Sequence, residues 1–324
     1  MRVTDVVVLA IAIVLPALPP VQASPAGMLG SGEPTDPYQI ATAAQLIAAG
    51  ADAGLLARHF VLVADIDLDP NGPDGRVFQG AVIAPGSTAL GSSGEGAPFM
   101  GTFDGQGHSI RHLTLSIVAM DGIPVGGLFD SIGTPGTVRN LILEDLHMTV
   151  QGTTYFTAGG LAGSNAGHVA YCGVSGQIRV STTSTRSMSA GGLVGSNPGT
   201  LLECCSSAEM TGAQANLGGL VGSNDGMIAD CYATGRIDAG IYRREVGGLA
   251  ASNSGQIARC YATGPAMPMD TFSAGGLVGL GSSGYTLASY LLQEADGGGP
   301  DNGVGQALSS AQMSQQGSFA FWDF

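Results

Sequence analysis

The sequence predicts an all-β protein, a parallel β-solenoid with a small amino-terminal helical cap, and three observations carry that prediction. The first is an internal repeat: GGLAGSNAGHVAYCGVSG from Gly159, GGLVGSNPGTLLECCSSA from Gly191, GGLVGSNDGMIADCYATG from Gly218 and GGLAASNSGQIARCYATG from Gly247 align without a gap. Degenerate copies start at Gly126 and Gly275, so the six starts lie 33, 32, 27, 29 and 28 residues apart. A period near 30 that tolerates small insertions marks a solenoid, in which neighbouring units share one core and insertions fall into loops. The second observation is composition: 53 glycines among 324 residues, 44% hydrophobic residues and only 11% charged ones. The glycines have no three-residue period, which excludes collagen, and the apolar content with sparse charge excludes a disordered chain. The third is phase, because apolar residues return at fixed columns of the repeat. Parallel crossovers are almost always right-handed, so a right-handed β-helix is expected.

Taken in chain order, residues 1–23 read as a secretory signal: Arg2, an apolar run from Val6 to Leu18, and small residues before a cut ahead of Ser24. The run is shorter than the ~20 residues needed to span a bilayer, so the mature chain is expected to be exported, without membrane insertion. Residues 24–121 form a cap and first coils. Thr42 followed by Gln45 reads as a capping box that opens a helix from Ala43 to about Ala57, burying Leu46, Ile47, Leu55 and Leu56. Such a helix covers the open backbone edge of the first coil, which otherwise invites edge-to-edge pairing.

Residues 122–295 are the repeat solenoid. Leu161, Leu193, Leu220 and Leu249, with Val169, Leu201, Ile228 and Ile257, occupy columns that must face the core. Gly160, Gly192, Gly219 and Gly248 precede the leucines and suit close backbone approach and positive-φ corners. Asn165, Asn197, Asn224 and Asn253 each sit in an S-N-x-G turn, where coils ~4.8 Å apart place their amides for a hydrogen-bonded ladder. Cys172, Cys204, Cys231 and Cys260 are in phase as well. They fit either a buried thiol stack or, with the extra Cys205, one disulfide in an exported chain. The tail, residues 296–324, is rich in Gly, Ser and Gln and reads as loop and weak structure.

The repeat core Gly192-Leu193-Val194-Gly195 and its counterpart Gly219-Leu220-Val221-Gly222 resemble the GLUG-motif repeat proteins of exported bacterial origin. GSGEPTDPYQIATAAQL from Gly30, HFVLVADIDLDPN from His59 and GTFDGQGHSI from Gly101 are similar to the region that precedes such repeats. The resemblance implies a secreted or cell-surface module. Members of the family include immunoglobulin A-cleaving metallopeptidases and haemagglutinin-like surface proteins, but the motif itself implies no catalysis. It also implies a truncated product, since relatives commonly run on past the position of Phe324.

Charge and motifs narrow the function. All 11 basic residues are Arg, against 25 acids, and the net charge of −14 argues against nucleic acid and anionic membranes as partners. No H-E-x-x-H, G-x-S-x-G or P-loop is present, so no peptidase or hydrolase motif supports an enzyme. Asp67, Asp69 and Asn71, followed by Gly72, match the first half of a calcium loop, but Phe78 stands where the bidentate Glu belongs. They are candidate calcium ligands, or else an acidic turn; no other cofactor is implied. His108 with Asp104 is the most catalytic-looking pair, and its simpler reading is a turn histidine bonded to a neighbouring coil. Glu203 and Asp230 share a column with Tyr171 and Arg259. They stand either as a glycosidase-like carboxylate pair or as a surface ladder in which Arg259 offsets Asp230. The expectation is a non-enzymatic, adhesin-like binding scaffold whose partner is a surface glycan or protein. The alternatives are a carbohydrate-active or polysaccharide-binding β-helix and a repeat fragment of a larger surface protein.

Overall fold

A computed structural model describes residues 25–322 except 74, 87–95, 120–125, 154–155, 184–187, 241–243, 269–272 and 282. The expected signal segment lies outside the described residues. Every pairing between named strands is parallel, and the strands collect into sheets of nine, five, six and thirteen members. One repeat shows how the chain visits them. From Gly218 it leaves the five-strand sheet (Asn216–Gly218), turns at Gly219-Leu220 and joins the six-strand sheet (Val221–Asn224). It then turns through Asp225-Gly226 into the nine-strand sheet (Met227–Ala229) and bends at Asp230-Cys231 into the thirteen-strand sheet (Tyr232–Ala233, Ile237–Ala239).

Register is kept column by column. Val194 pairs with Val221 and Val221 with Ala250, while Leu201 pairs with Ile228 and Ile228 with Ile257. Leu161, Leu193, Leu220 and Leu249 are fully buried, a row that Leu128 and Leu277 extend in both directions. Each such side chain contributes about 1.5–3 kcal/mol by leaving water. Gly219 and Gly226 are required by approach: a Cβ on either would collide with the carbonyl oxygen of Gly248 or Gly199 in the adjacent coil.

The repeat glycines Gly160, Gly192, Gly219 and Gly248 are not the positive-φ corners. That conformation belongs to a column of other residues, Asn140 (53°), Tyr171 (55°), Glu203 (51°), Asp230 (56°) and Arg259 (50°). The sequence argument placed the left-handed turn on Gly because Gly adopts it without strain. Here the side chains at the corner point outward and find partners in the next coil, while the glycines stand where there is no room for a Cβ.

The solenoid begins well before the motif does. The nine-strand sheet opens with Tyr38–Ile40, His59–Leu62 and Thr102–Asp104, ahead of any recognisable repeat. Six repeat starts imply about 24 Å of axis, whereas nine stacked strands span about 38 Å at ~4.8 Å per step. The early coils are filled by rings: Tyr38 pairs with Phe60 and Phe60 with Phe103, and Phe99 lies 5.2 Å from Phe129.

Helix α1 (Ala43–Ala51) closes this end. Thr42 Oγ1 accepts from Gln45 N at 3.2 Å, and Gln45 Oε1 accepts from Ala41 N at 2.8 Å. Leu46 and Ala49 pack down onto the rings, Ile47 is half-buried, and Leu55 and Leu56 are buried beyond the helix. The helix stops short of the expected Ala57. Asp52 is extended, with its carboxylate accepting from Gly54 N, and starts a separate 3-10 turn, Ala53–Leu55.

The tail has more structure than its composition suggested. Gln306–Leu308 pairs with Tyr290–Leu292, and α2 (Ser310–Met313) is closed by a Ser309/Gln312 capping box. Asn302 Nδ2 donates to Val278 O and Gly279 O on the last coil. Phe319 and Trp322 pack on Tyr290 with centroids at 5.0 and 6.2 Å.

Candidate functional site

The Asn column runs through the interior as an amide ladder. Asn165 Nδ2 donates to Asn197 Oδ1, Asn197 to Asn224 and Asn224 to Asn253, each at 2.8 Å. Every one of these side chains is buried, so the ladder supplies partners that water cannot. Ile132 and Gly281 stand at the register positions beyond its two ends.

The Cys column is a stack of free thiols. Cys172, Cys204, Cys231 and Cys260 are buried, and each Sγ donates to the carbonyl two residues earlier, at 3.3, 3.2, 3.0 and 3.2 Å. Cys204 N donates to Cys231 Sγ at 3.2 Å, and Ser289 Oγ takes that acceptor role for Cys260 N. Burial pushes the Cys172 and Cys231 thiols well up from their ordinary values. Cys205 faces the other way, towards the stacked Tyr232 and Tyr261 rings, whose centroids are 5.0 Å apart. Its contact with the Tyr232 hydroxyl pushes that phenol up to about 12.

The catalytic-looking groups are distributed among structural pairs. Asp230 is held by Arg259, Nε to Oδ1 at 2.6 Å and Nη2 to Oδ2 at 2.5 Å. A hydrogen bond to Glu203 pushes the Tyr171 phenol up. Glu203 and Asp230 thus each have a different partner, and the column forms the ladder reading of the two given above. His108 and Asp104 are not a pair. Asp104 is buried and accepts from Arg139 Nε at 2.9 Å, Asn140 Nδ2 at 3.0 Å and Gln106 N at 2.9 Å. Burial pushes its carboxyl up, but these donors together hold it below the usual range. His108 Nδ1 instead faces Asp65 Oδ1 at 3.1 Å. Four residues of separation looked like proximity, but a turn from Gly105 to Gly107 sends the two side chains to different coils.

The residues offered for calcium serve the turn and a histidine. Asp67 Oδ1 accepts from Asp69 N at 2.9 Å and lies 2.8 Å from His112 Nδ1, while Asp69 Oδ1 accepts from Asn71 N and Nδ2 at 2.9 and 3.1 Å. Among the described residues, no three His, Cys, Asp or Glu side chains gather as metal ligands.

One feature was not read from the sequence. Strands Ile142–Gly152 and Gly173–Thr182 are 11 and 10 residues long and pair along their length, and Glu209–Ala213 and Ile237–Ala239 continue the row coil by coil. Together they wall an open cleft of about 570 Å³. The first two repeat spacings, 33 and 32 residues against 27 to 29 later, do not mark it: Ser181 pairs with Ala213 and Ser189 with Asn216, so the five residues by which the coil from Gly159 exceeds the next lie between Ser181 and Ser189, beyond the strand.

Comparison with known proteins agrees with this architecture. The family model described as "The GLUG motif" matches residues 213–238. Halomucin from Haloquadratum walsbyi is 29% identical over 124 residues, 37% of this chain but only 1% of its own length. A crystal structure from Bacteroides ovatus, described as that of a candidate immunoglobulin A1 protease, superposes with a TM-score of 0.60 at 21% identity, covering 91% of this chain and 90% of that one. At that identity the likeness concerns the fold. No helix among the described residues is long and apolar enough to cross a membrane. With the motif matched at residues 213–238 and its columns stacked in register on either side, this chain carries the GLUG motif within a parallel β-solenoid.

Proposed function

We propose that this chain is an exported, non-enzymatic repeat scaffold of the bacterial cell surface or its surroundings, an adhesin-like module that binds through its outer faces. In this reading residues 1–23 are a cleaved signal, 24–121 the cap and first coils, 122–295 the repeat solenoid and 296–324 the closing tail. The observation that carries it is the distribution of the reactive groups. The carboxylates, imidazoles and phenols that suggested chemistry are tied into coil-to-coil pairs, Asp230 with Arg259, Glu203 with Tyr171, Asp104 with Arg139 and His108 with Asp65. A catalytic acid or nucleophile needs a free side chain aimed at a shared point. The stacked coils instead offer a long, regular surface, the property for which solenoids are used in recognition.

The test is a glycan and polysaccharide array probed with the mature protein, reading both retention and released reducing ends. Retention without release, or capture by a surface protein alone, supports the scaffold reading. Release of ends that is lost in Glu203→Gln or Asp230→Asn overturns it in favour of a carbohydrate-active enzyme.

A further inference from the structure

The cleft beside the long strands contains an arginine, Arg179, whose guanidinium meets a neutral amide and, among the described residues, no carboxylate. In register across it stand Thr149, Arg179, Thr211 and Asp238, one per coil, with Gln151 and Ser181 in a second row. Arg58, Arg111, Arg139, Arg236 and Arg259 each form an ion pair, and Arg76 lies over the Phe78 ring. Arg179 is exposed, and among the described residues no carboxylate lies within ion-pair distance of it. Its Nη2 donates to the neutral Gln177 Oε1 at 2.6 Å, which fixes the guanidinium at the cleft. In a protein of net charge −14, a cation held in place by an amide, with no counter-ion among the described residues, is suited to receive an anion.

The surroundings define what carries the anion. Thr149, Ser181 and Thr211 present hydroxyls and Gln151 an amide, all of which exchange hydrogen bonds with hydroxyl groups. Asp238 accepts from such groups as well, and its own charge is offset by Arg236 at 3.3 Å. Among the described residues no aromatic anchor of the kind a protein interface favours lines the cleft. We propose that this cleft binds an acidic polysaccharide, with Arg179 gripping the carboxylate of a uronic acid unit and the hydroxyl rows receiving the neighbouring sugar along the coil axis.

The proposal rests on the scaffold reading and gives it a ligand class. It is tested by calorimetry of the mature protein with oligogalacturonate, dextran oligomers and poly-glutamate, comparing wild type with Arg179→Gln, Arg179→Lys and a control, Arg58→Gln, made away from the cleft. Arg179 is exposed on a strand, so melting temperatures should stay within a degree or two of wild type. The expected result is binding of oligogalacturonate that weakens about tenfold or more in Arg179→Gln, less in Arg179→Lys and not at all in Arg58→Gln. Dextran and poly-glutamate should bind far more weakly than oligogalacturonate. No binding of oligogalacturonate, equal binding by Arg179→Gln, or equal binding of poly-glutamate overturns the proposal, and the last result assigns the cleft to an acidic peptide. Each of these leaves the scaffold reading standing if the protein is still retained on another glycan or surface protein. Shortening of the oligogalacturonate during titration removes the scaffold reading instead.

Discussion

The first coils and the repeat coils stack on one another in the same register but are held together differently. Between Tyr38 and Ala119 the interior is filled by Phe60, Phe99 and Phe103, and the outer face of the thirteen-strand sheet carries ions: Arg111 bridges Asp65 and Glu144, and His112 lies against Asp67. From Gly159 onward the interior is chiefly Leu, Val, Ile, Ala and Cys, joined by Met188 and Met210 and, in the last coil, by Tyr290, and the turns are bonded through the buried amides of Asn165, Asn197, Asn224 and Asn253. The difference separates two ways of ending and extending a solenoid. Coils that must be closed by α1 use large rings of irregular shape, whereas coils that propagate use small side chains and a neutral ladder that any further coil can continue.

The comparison breaks most visibly at the leucine row. Leu220→Asp introduces a charge at a fully buried position among apolar neighbours, which should cost more than ~4 kcal/mol and unfold the adjoining coils. Because repeats couple mainly to their nearest neighbours, the rings around Phe103 should keep their amide protection in hydrogen exchange while residues near Gly195 to Ala250 lose theirs. Uniform loss along the chain would show that the two regions unfold as one unit.

That same row explains what was legible beforehand. The repeat coils announce themselves because each column holds one residue type, so Leu161 predicts Leu193 and Leu220. Phe60, Phe103 and Val138 occupy the column of Val169 and Leu201, yet nothing in a single sequence aligns them, since only the space to be filled is conserved between coils. Positive φ at Tyr171, Glu203 and Asp230 was hidden for a related reason: the corner demands a backbone shape, and the partner in the next coil decides which side chain serves. The separation of His108 from Asp104 and the partnership of Asp230 with Arg259 are likewise set by stacking. Proximity along the chain misled in the first case, and column phase guided correctly in the second. The cleft at Arg179 depends on the pairing that brings Thr149, Arg179, Thr211 and Asp238 into one row, and no spacing in the sequence marked that row.

A smaller effect is expected inside the ladder. Asn224→Ala removes both the acceptor for Asn197 Nδ2 and the donor to Asn253 Oδ1, leaving two buried amide groups short of a partner. The cost should be about 2–3 kcal/mol, and it should be independent of pH because no member of the ladder titrates. A variant within a few tenths of a kcal/mol of wild type would mean that the backbone contacts of Asn197 Nδ2 at 3.4–3.5 Å are enough.

The smallest effect belongs to the first coils and, unlike the ladder, should depend on pH. The hydrogen bond from His112 to Asp67 raises the imidazole and lowers the carboxyl, with Asp145 and Asp69 adding attraction to the imidazolium and Arg111 further stabilising the Asp67 carboxylate. A raised histidine stabilises fully below its unfolded value of ~6.5 and loses that contribution as pH climbs through its higher folded value. A lowered aspartate stabilises fully above ~3.9 and loses it as pH falls through its lower folded value. The pair should therefore be worth most between about pH 4 and 6.5. Both side chains are near half exposure, so solvent screening keeps the total under ~1 kcal/mol. Melting curves of wild type and His112→Ala should differ most in that window and converge by pH 9. A constant offset across the whole range would assign His112 to packing alone and remove the electrostatic half of the contrast between the two regions.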